Sequence, residues 1–236
     1  MPPQSERHVL VGIPLIGYWL TSGISQLAFA LGQSDAGAEG IRFTFKPVNG
    51  SSVISFNVEY MRNTLVKAAL DDPTVTDLWF IDSDVMPSAN SMDLLSIDAD
   101  ICGGIYPIPN KPLAREGSPP VWSVYHRMDN VFAPADLPDE PTLMEAGALG
   151  TGAMIIRRKV LEDKTLRFAE DDRGLPCLFR TPRSDSGACL ATDDLDFCRR
   201  AVDSGWKIIA HTGVRWGHIK TYDVAVMDAA MRAARI

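Results

Sequence analysis

The chain has 236 residues, of which 46% are hydrophobic and 22% charged, and its formal net charge is −7. This length fits one α/β domain with a substantial core, and the acidic balance argues against a broadly basic nucleic-acid surface. No apolar run is long enough to span a bilayer, and the first residues lack the pattern of a signal peptide. The cysteines lack the spacing of a zinc site or a disulfide framework. We therefore expect a cytoplasmic protein without membrane insertion. These features make no prediction about the oligomeric state.

Strands and helices alternate along the first half of the chain. The apolar patterns predict, in chain order, a strand at 9–13, a helix at 18–31, a strand at 41–48, a helix at 61–71, a strand at 78–81, a short helix at 92–97 and a strand at 100–104. This alternation predicts right-handed crossovers and a mostly parallel central sheet flanked by helices. The expected fold class is therefore α/β.

The second half contains longer irregular stretches. Prolines are frequent in the connection 107–143, within which 121–125 is the only predicted strand, and 171–191 is a second irregular stretch. Connections of this length in a compact domain are usually functional or mobile. We expect a single domain over 1–236 with two halves, 1–106 and 107–236.

The most informative segment is the apolar run 78–81, which Asp82, Ser83 and Asp84 follow directly. Such a run predicts a buried, parallel strand, and open α/β sheets bind ligands at the carboxyl ends of their strands. Two carboxylates there form a hard oxygen site suited to a divalent cation that already carries phosphate oxygens. The alternative is that Asp-Ser-Asp only forms a turn at the end of the strand.

Two of the later segments have simple structural explanations beside their functional ones. The glycines of Gly150-Thr151-Gly152 let a ligand approach the backbone, but a glycine-rich turn before a core strand explains them equally well. His218 follows a predicted strand, and a lone histidine in such a place is more often incidental than a metal ligand. Neither segment indicates a function when it is considered alone.

A third segment, 192–201, is unusually acidic at its start. Thr192 is a suitable helix N-cap, and acids in the first turn of a helix interact favourably with its dipole. That explanation accounts for Asp193 and Asp194, but three acids in one turn, with Asp196 as the third, exceed what capping requires.

Taken together, these segments resemble the GT-A class of nucleotide-sugar-dependent glycosyltransferases, and the resemblance extends from Val9 to about Tyr222. The matching positions are the end of the first strand at Ile13 and Pro14, the Arg62-Asn63 pair, the D-x-D motif Asp82-Ser83-Asp84, the G-x-G segment Gly150-Thr151-Gly152, the pattern E/D-D-x-x-F-C-x-R-A at 193–201, and Gly217-His218. Each match alone is weak, whereas the ordered set is specific.

The resemblance implies a GT-A, Rossmann-like fold whose residues 1–106 form the nucleotide-binding half. It implies that Asp82, Asp84 and His218 ligate a metal, and an oxygen-and-nitrogen ligand set suits Mn²⁺ as well as Mg²⁺. The nucleotide-sugar donor would be contacted by Ile13, Pro14, Arg62, Asn63, Ser83 and Tyr106. The metal would stabilise the negative charge that develops on the nucleotide-diphosphate leaving group.

The resemblance also implies that residues 107–236 form the acceptor half, with a small antiparallel element and with Gly150, Thr151 and Gly152 on the acceptor side. The acceptor hydroxyl loses a proton as it attacks, so the reaction needs a carboxylate beside it. Asp194 is the implied base, and Asp193 is the second choice because a misalignment by one residue exchanges them. A base at Asp194 implies a single displacement with inversion, although a retaining mechanism stays open. The chain departs from the family in having Asp-Asp where Glu-Asp is commoner.

The compact form without a membrane anchor is similar to the family members that bacteriophages and other viruses encode. Some of those transfer sugar to hydroxymethylated pyrimidines in DNA, which requires a basic track along the phosphates. The candidates for that track are Lys111, Arg115, Arg180 and Arg183, and Arg180, Arg183 and Lys220 are also candidates for gripping phosphate. A glycan, a protein or a small molecule is the alternative acceptor.

Two other classes of protein share part of this pattern. A sugar nucleotidyltransferase should carry a glycine-rich loop with basic residues directly after the first strand, but 14–18 contains no basic residue. A non-catalytic nucleotide-binding module would have no use for both the Asp82/Asp84 pair and the Asp193/Asp194 pair.

Overall fold

The computed structural model describes residues 7–15, 24, 41–49, 58–108, 121–129, 131–168 and 174–219. Of the helix predicted at 18–31, only Ile24 belongs to this part of the chain, and it is helical. The predictions for Lys111, Arg115 and Lys220 lie outside the described residues.

A seven-stranded sheet forms the centre of the structure. The strands of the described residues, inside and outside this sheet, are β1 (Arg7–Leu15), β2 (Ile41–Asn49), β3 (Asp77–Ile81), β4 (Val85–Met86), β5 (Ile101–Ile105), β6 (Pro107–Ile108), β7 (Val121–Trp122), β8 (Val124–Met128), β9 (Val131–Pro134), β10 (Leu143–Glu145), β11 (Ala148–Leu149), β12 (Ala153–Arg157), β13 (Ile208–Arg215) and β14 (Gly217–His218). The order in the central sheet is β10-β13-β5-β12-β3-β1-β2. β1, β2, β3, β5 and β13 share one direction, and only β12 and β10 run against it.

The helices are α1 (Val58–Asp71), α2 (Arg158–Leu161) and α3 (Asp193–Asp203), with 3-10 turns at Ser91–Ser96 and Lys164–Leu166. Alternate residues of the central strands point to opposite faces of the sheet. One face, which includes Leu78 and Phe80, packs in the same core as Leu65 of α1 and Phe197 of α3. The other face, which includes Trp79, packs with residues of the 91–96 turn and of β13. Because both faces are covered, the strands are apolar throughout, as β3 is.

The structure confirms an α/β fold with a mostly parallel central sheet. The predicted strands of the first half and the helix at 61–71 recur within a few residues, as does the helix at the acidic segment. The helix predicted at 92–97 is a 3-10 turn at Ser91–Ser96. A three-stranded antiparallel sheet, β11-β8-β9, matches the small antiparallel element that we expected. The prediction of only one strand within 107–143 is wrong, because β8 and β9 pair as a hairpin and the short β10 joins the central sheet beside β13. Short edge strands of this kind have too few residues to show a hydrophobic period.

Three segments that carry candidate site residues meet at the carboxyl end of β3. Asp82–Asp84 follows β3, and the backbone N–H of Asp82 donates to the carbonyl of Gly152, which precedes β12 (3.3 Å). β14 pairs with β4 and brings His218 opposite Val85.

Among the described residues, no helix has both the length and the apolar character needed to cross a bilayer.

Candidate active site

Asp84 and His218 form a pair of possible metal ligands. His218 Nε2 lies 3.3 Å from Asp84 Oδ2, and His218 Nδ1 lies 2.7 Å from the carbonyl oxygen of Pro107. The Pro107 carbonyl can only accept, so Nδ1 carries a proton, and in the neutral ring the Nε2 lone pair faces the carboxylate. Two acceptors at this distance need a shared cation or proton between them. A histidine oriented through its second nitrogen is the usual arrangement in metal sites.

The spacing of this pair fits a divalent cation. Two ligands that each lie about 2.1 Å from one ion, at a right angle, are about 3 Å apart, and the observed separation is 3.3 Å. Among the described residues, no group of three or more His, Cys, Asp or Glu side chains gathers around one point. The pair would therefore leave positions on an ion open, which suits an ion that also binds the phosphates of a substrate.

Arg62 of α1 joins two of the predicted acidic motifs. Its Nη1 donates to Asp193 Oδ2 at 2.6 Å, and its Nη2 lies 3.2 Å from both oxygens of Asp82. The side chain is only 6% exposed, and its Nε has no hydrogen-bond partner in the described structure. Burial opposes the charge of Arg62, but the carboxylates of Asp82, Asp193 and Asp194 outweigh it and raise the pKa of the guanidinium. Arg62 therefore carries a permanent charge between the end of β3 and the start of α3.

Asp194 has a different environment from Asp193, its neighbour. Its Oδ1 accepts hydrogen bonds from the Thr192 hydroxyl and from the backbone N–H of Leu195. Thr192 occupies the N-cap position, as predicted, but its side chain makes no capping bond to the backbone. Burial and the nearby charge of Asp193 raise the pKa of Asp194, while Arg62 lowers it. A carboxylate with a raised pKa and no direct ion pair to a cation is suited to accept a proton.

Gly150 and Gly152 surround the ring of Tyr106. A Cβ at Gly150 would lie 2.3 Å from the Tyr106 hydroxyl, and one at Gly152 would lie 3.1 Å from Asp82 Oδ2. The backbone N–H of Gly152 donates to the Tyr106 hydroxyl at 3.3 Å. The glycines are thus required by the close approach of a buried tyrosine. Thr151 is buried between them, and its hydroxyl has no partner in the described structure.

Tyr106 connects the two sides of the candidate site. Its ring meets His218 edge-on, with the centroids 5.2 Å apart. Burial raises the pKa of Tyr106, and the negative charges of Asp82 and Asp194 raise it further. The phenol therefore stays protonated at neutral pH and can donate a hydrogen bond.

The structure gives Asn63 a role other than the predicted contact with a nucleotide. Its amide oxygen accepts from the backbone N–H groups of Leu178 and Phe179, and its amide nitrogen donates to the Phe179 carbonyl at 2.8 Å. Asn63 is buried, so these bonds use its side chain to hold the segment after residue 174 against α1. The amide chemistry that suits a nucleotide equally suits a backbone segment.

The remaining predicted residues lie at the same edge of the sheet. β1 and β3 are parallel neighbours, so Ile13 and Pro14 lie beside the end of β3, although the Ile13 side chain is buried in the core. Ser83 is buried between the two aspartates of the D-x-D motif. Two contacts had no signal in the sequence. The Pro107 carbonyl that orients His218 is a backbone atom. Tyr125 lies near Asp194, and burial, together with the negative charge of Asp194, raises the pKa of Tyr125 to about 12.

Comparison of the sequence with protein-family models and with curated proteins found no match. Comparison of the structure found similar solved structures at low identity. A197 from STIV has a TM-score of 0.53 and 17% identity over 91% of this chain and 86% of its own. The catalytic domain of Drosophila β1,4-galactosyltransferase 7, in complex with xylobiose, has a TM-score of 0.51 and 14% identity over 91% of this chain and 71% of its own.

The structure of GalNAc-T7 with UDP, GalNAc and Mn²⁺ is also similar, with a TM-score of 0.52 and 13% identity. That match covers 93% of this chain but only 45% of GalNAc-T7. At these identities the similarity concerns the fold and not the activity. The chain therefore has a GT-A-like fold, the fold that these glycosyltransferases share with it.

Proposed function

We propose that this protein is a metal-dependent glycosyltransferase that moves a sugar from a nucleotide-diphosphate sugar to an acceptor hydroxyl. The observation that carries the proposal is the link through Arg62, which contacts Asp82 after β3 and Asp193 at the start of α3. This link joins the segment that carries the proposed metal ligand Asp84 to the start of the helix that carries the proposed base Asp194, which supports a donor site and a base close to each other. A module that only binds nucleotides would have no use for the second pair of carboxylates.

On the donor side, Asp84 and His218 would hold Mn²⁺ or Mg²⁺. When bound, the ion would neutralise charge on the diphosphate as it leaves. Asp82 faces the guanidinium of Arg62 through both of its oxygens, so its role would be to accept hydrogen bonds from the donor or from water. Ile13, Pro14 and Ser83 would contact the donor mainly through backbone atoms and small groups. The GT-A-like fold and the Mn²⁺ and UDP present with GalNAc-T7 support this assignment.

On the acceptor side, Asp194 would be the general base. Asp193 already accepts a 2.6 Å hydrogen bond from Arg62, which occupies one of its two oxygens. Asp194 has no such bond to a cation among the described residues, and burial raises its pKa, which suits it to accept a proton. Proton removal by Asp194 during the attack would give inversion in one displacement. Its neighbour Tyr106 and the segment Gly150–Gly152 would line the space for the acceptor, within a half formed by residues 107–236.

The proposal leaves the acceptor as a hydroxyl compound, with DNA carrying hydroxymethylated pyrimidines as one candidate. The predicted basic track included Arg180 and Arg183, which both belong to the described part of the chain. Arg183 is exposed, whereas Arg180 is ion-paired with Asp196 at 3.4 Å. A glycan, protein or small-molecule acceptor is equally compatible with the site.

The decisive experiment is a thermal-shift panel of nucleotide diphosphates and nucleotide sugars, each with Mn²⁺, Mg²⁺ or EDTA. A ligand that binds only the folded state at a hundredfold excess over its Kd adds about 2.7 kcal/mol to the free energy of unfolding. We expect one nucleotide sugar to stabilise the protein and EDTA to abolish this effect. Asp84→Asn should abolish it too, whereas Asp98→Asn, at an exposed position away from the site, should not. Stabilisation that survives both EDTA and Asp84→Asn would contradict metal-dependent donor binding.

A further inference from the structure

One buried carboxylate outside the candidate active site is surrounded by three guanidinium groups. The side chain of Asp196 in α3 is fully buried and accepts from Arg199 Nη2 at 2.7 Å, Arg200 Nε at 2.9 Å and Arg180 Nε at 3.4 Å. The ring of Phe168 lies 3.3 Å from the guanidinium carbon of Arg180 and 4.8 Å from that of Arg200. We call Asp196 and its three arginines the arginine cluster.

The three arginines differ in how fully their N–H groups are used. Arg200 is only 12% exposed and also donates to the carbonyls of Leu166 and Leu178, so its guanidinium serves the fold. Arg180 is 44% exposed, and neither of its Nη groups makes a hydrogen bond to another described residue. Arg199 is 36% exposed, and its Nη1 has only a distant acceptor, Asp203 Oδ2 at 3.9 Å. Both Nη groups of Arg180 and the Nη1 group of Arg199 therefore have no close acceptor among the described residues.

The charges of the arginine cluster do not balance. Among the described residues, three arginines share this carboxylate, which leaves an excess of two positive charges, and the nearby Asp203 is also paired with Arg127 at 2.5 Å. Burial lowers the pKa of Arg200, and the positive charges of Arg180 and Arg199 lower it further, against the opposing effect of Asp196. Like charges held this close favour an added anion. The excess is unusual in a chain whose net charge is −7.

The arginine cluster is separate from the proposed base. Successive residues of an α-helix are about 100° apart around its axis, so Asp194 and Asp196 point in directions about 200° apart. Asp194 lies on the side of Tyr106 and Tyr125, whose pKa values it raises, whereas Asp196 lies on the side of Phe168. A ligand of the cluster would therefore sit across α3 from the acceptor hydroxyl.

We propose that Arg180 and Arg199 form a binding site for a phosphate group. Guanidinium groups bind phosphate through parallel N–H bonds, and a phosphate that carries nearly two negative charges at neutral pH matches the local excess. The Phe168 ring fixes the plane of the Arg180 guanidinium, so little side-chain freedom remains to be lost on binding. The phosphate can belong to a free small molecule or to the backbone of a nucleic acid, and the two sources are separable by experiment.

The test is a titration of the full chain, in buffer containing EDTA, with inorganic phosphate and separately with a short single-stranded oligodeoxynucleotide. Binding is followed by calorimetry and by ³¹P NMR. The variants are Arg180→Gln, Arg199→Gln and Arg199→Lys, which keeps the charge but loses the fork. Arg42→Gln is the matched control, because Arg42 is an exposed arginine of β2, outside the cluster, whose Nη2 donates to the Thr74 hydroxyl.

We expect phosphate to bind the unmodified chain, and each Gln variant to weaken binding at least tenfold. Arg199→Lys should have a smaller effect, and Arg42→Gln none. An oligodeoxynucleotide that binds more tightly than phosphate, with the same order among the variants, would identify a phosphodiester chain as the source. Asp196 keeps two arginine partners in each Gln variant, and an unchanged thermal midpoint would show that the variants fold. If neither probe binds, or if the Arg180→Gln and Arg199→Gln variants bind as well as Arg42→Gln, the cluster is only a structural ion-pair group and the proposal is wrong.

Discussion

At the scale of single residues, one buried cation organises the candidate site. Arg62 lies between Asp82 and Asp193, with side-chain exposures of 6%, 22% and 7% respectively. Carboxylates brought this close repel each other unless a positive charge separates them. The fork of an arginine contacts both at once, which the single ammonium group of a lysine does less well.

We predict that Arg62→Met lowers the free energy of unfolding by about 3–5 kcal/mol, because it leaves Asp193 buried without its partner. Arg62→Lys should recover part of this loss. Urea denaturation of both variants and of Asp193→Asn measures the effect. The double variant Arg62→Met/Asp193→Asn should be more stable than the sum of the single losses implies. Additive losses would show that the two side chains are not coupled.

The second prediction at this scale concerns Asp194. Since burial raises the pKa of Asp194, the carboxyl remains protonated to a higher pH than an ordinary aspartate, whose pKa is about 3.9. A protonated Asp194 cannot accept a proton, so kcat should fall as the pH drops below that raised pKa. Above that pKa, Asp194→Asn should lower kcat by a factor of about 10²–10⁴, the usual contribution of a general base, and the difference should shrink as the pH falls below it.

Donor binding provides the control for Asp194. The asparagine variant should keep the metal-dependent thermal shift caused by the nucleotide sugar, because Asp194 belongs to the acceptor side. An Asp194→Asn variant with full turnover would remove Asp194 from the mechanism. A pH profile that stays flat down to about pH 4 would conflict with a base whose pKa is raised.

At the scale of elements, the segment 174–180 is held between two helices. Asn63 of α1 bonds to the backbone of Leu178 and Phe179, and Arg200 of α3 donates to the Leu178 carbonyl. Phe179 packs edge-on against Phe80 of β3, with the centroids 5.3 Å apart. The segment is irregular in secondary structure, but these contacts join it to both helices and to the sheet.

We predict that Asn63→Ala lowers the free energy of unfolding by about 2–4 kcal/mol, because two backbone N–H groups and one carbonyl lose their buried partner. Thr64→Ala is the matched control in the same helix, since the Thr64 hydroxyl only donates to the Tyr60 carbonyl within that helix. Its cost should be below about 1 kcal/mol. Urea denaturation of the two variants tests the difference. Equal losses would show that Asn63 does not hold the segment.

At the scale of the whole molecule, the strand order explains why distant motifs meet. β12 lies between β3 and β5 and runs against both, so the Gly150–Gly152 segment before it reaches the end of β3. The pairing of β14 with β4 carries His218 to Asp84, which is 134 residues earlier in the chain. Strand pairing thus brings these candidate segments together at the end of β3.

The sequence by itself determined the α/β class, the strands of the first half, the helix α1 and the positions of the acidic motifs. Those features depend on hydrophobic period and on local chemistry, which can be recognised within a few residues of β3 or α3. Only the tertiary structure decided that Arg62 joins Asp82 to Asp193, that Asn63 holds a backbone segment, and that Arg180 reaches Asp196. Those contacts depend on the register of strands far apart in sequence and on backbone atoms, neither of which leaves a local pattern.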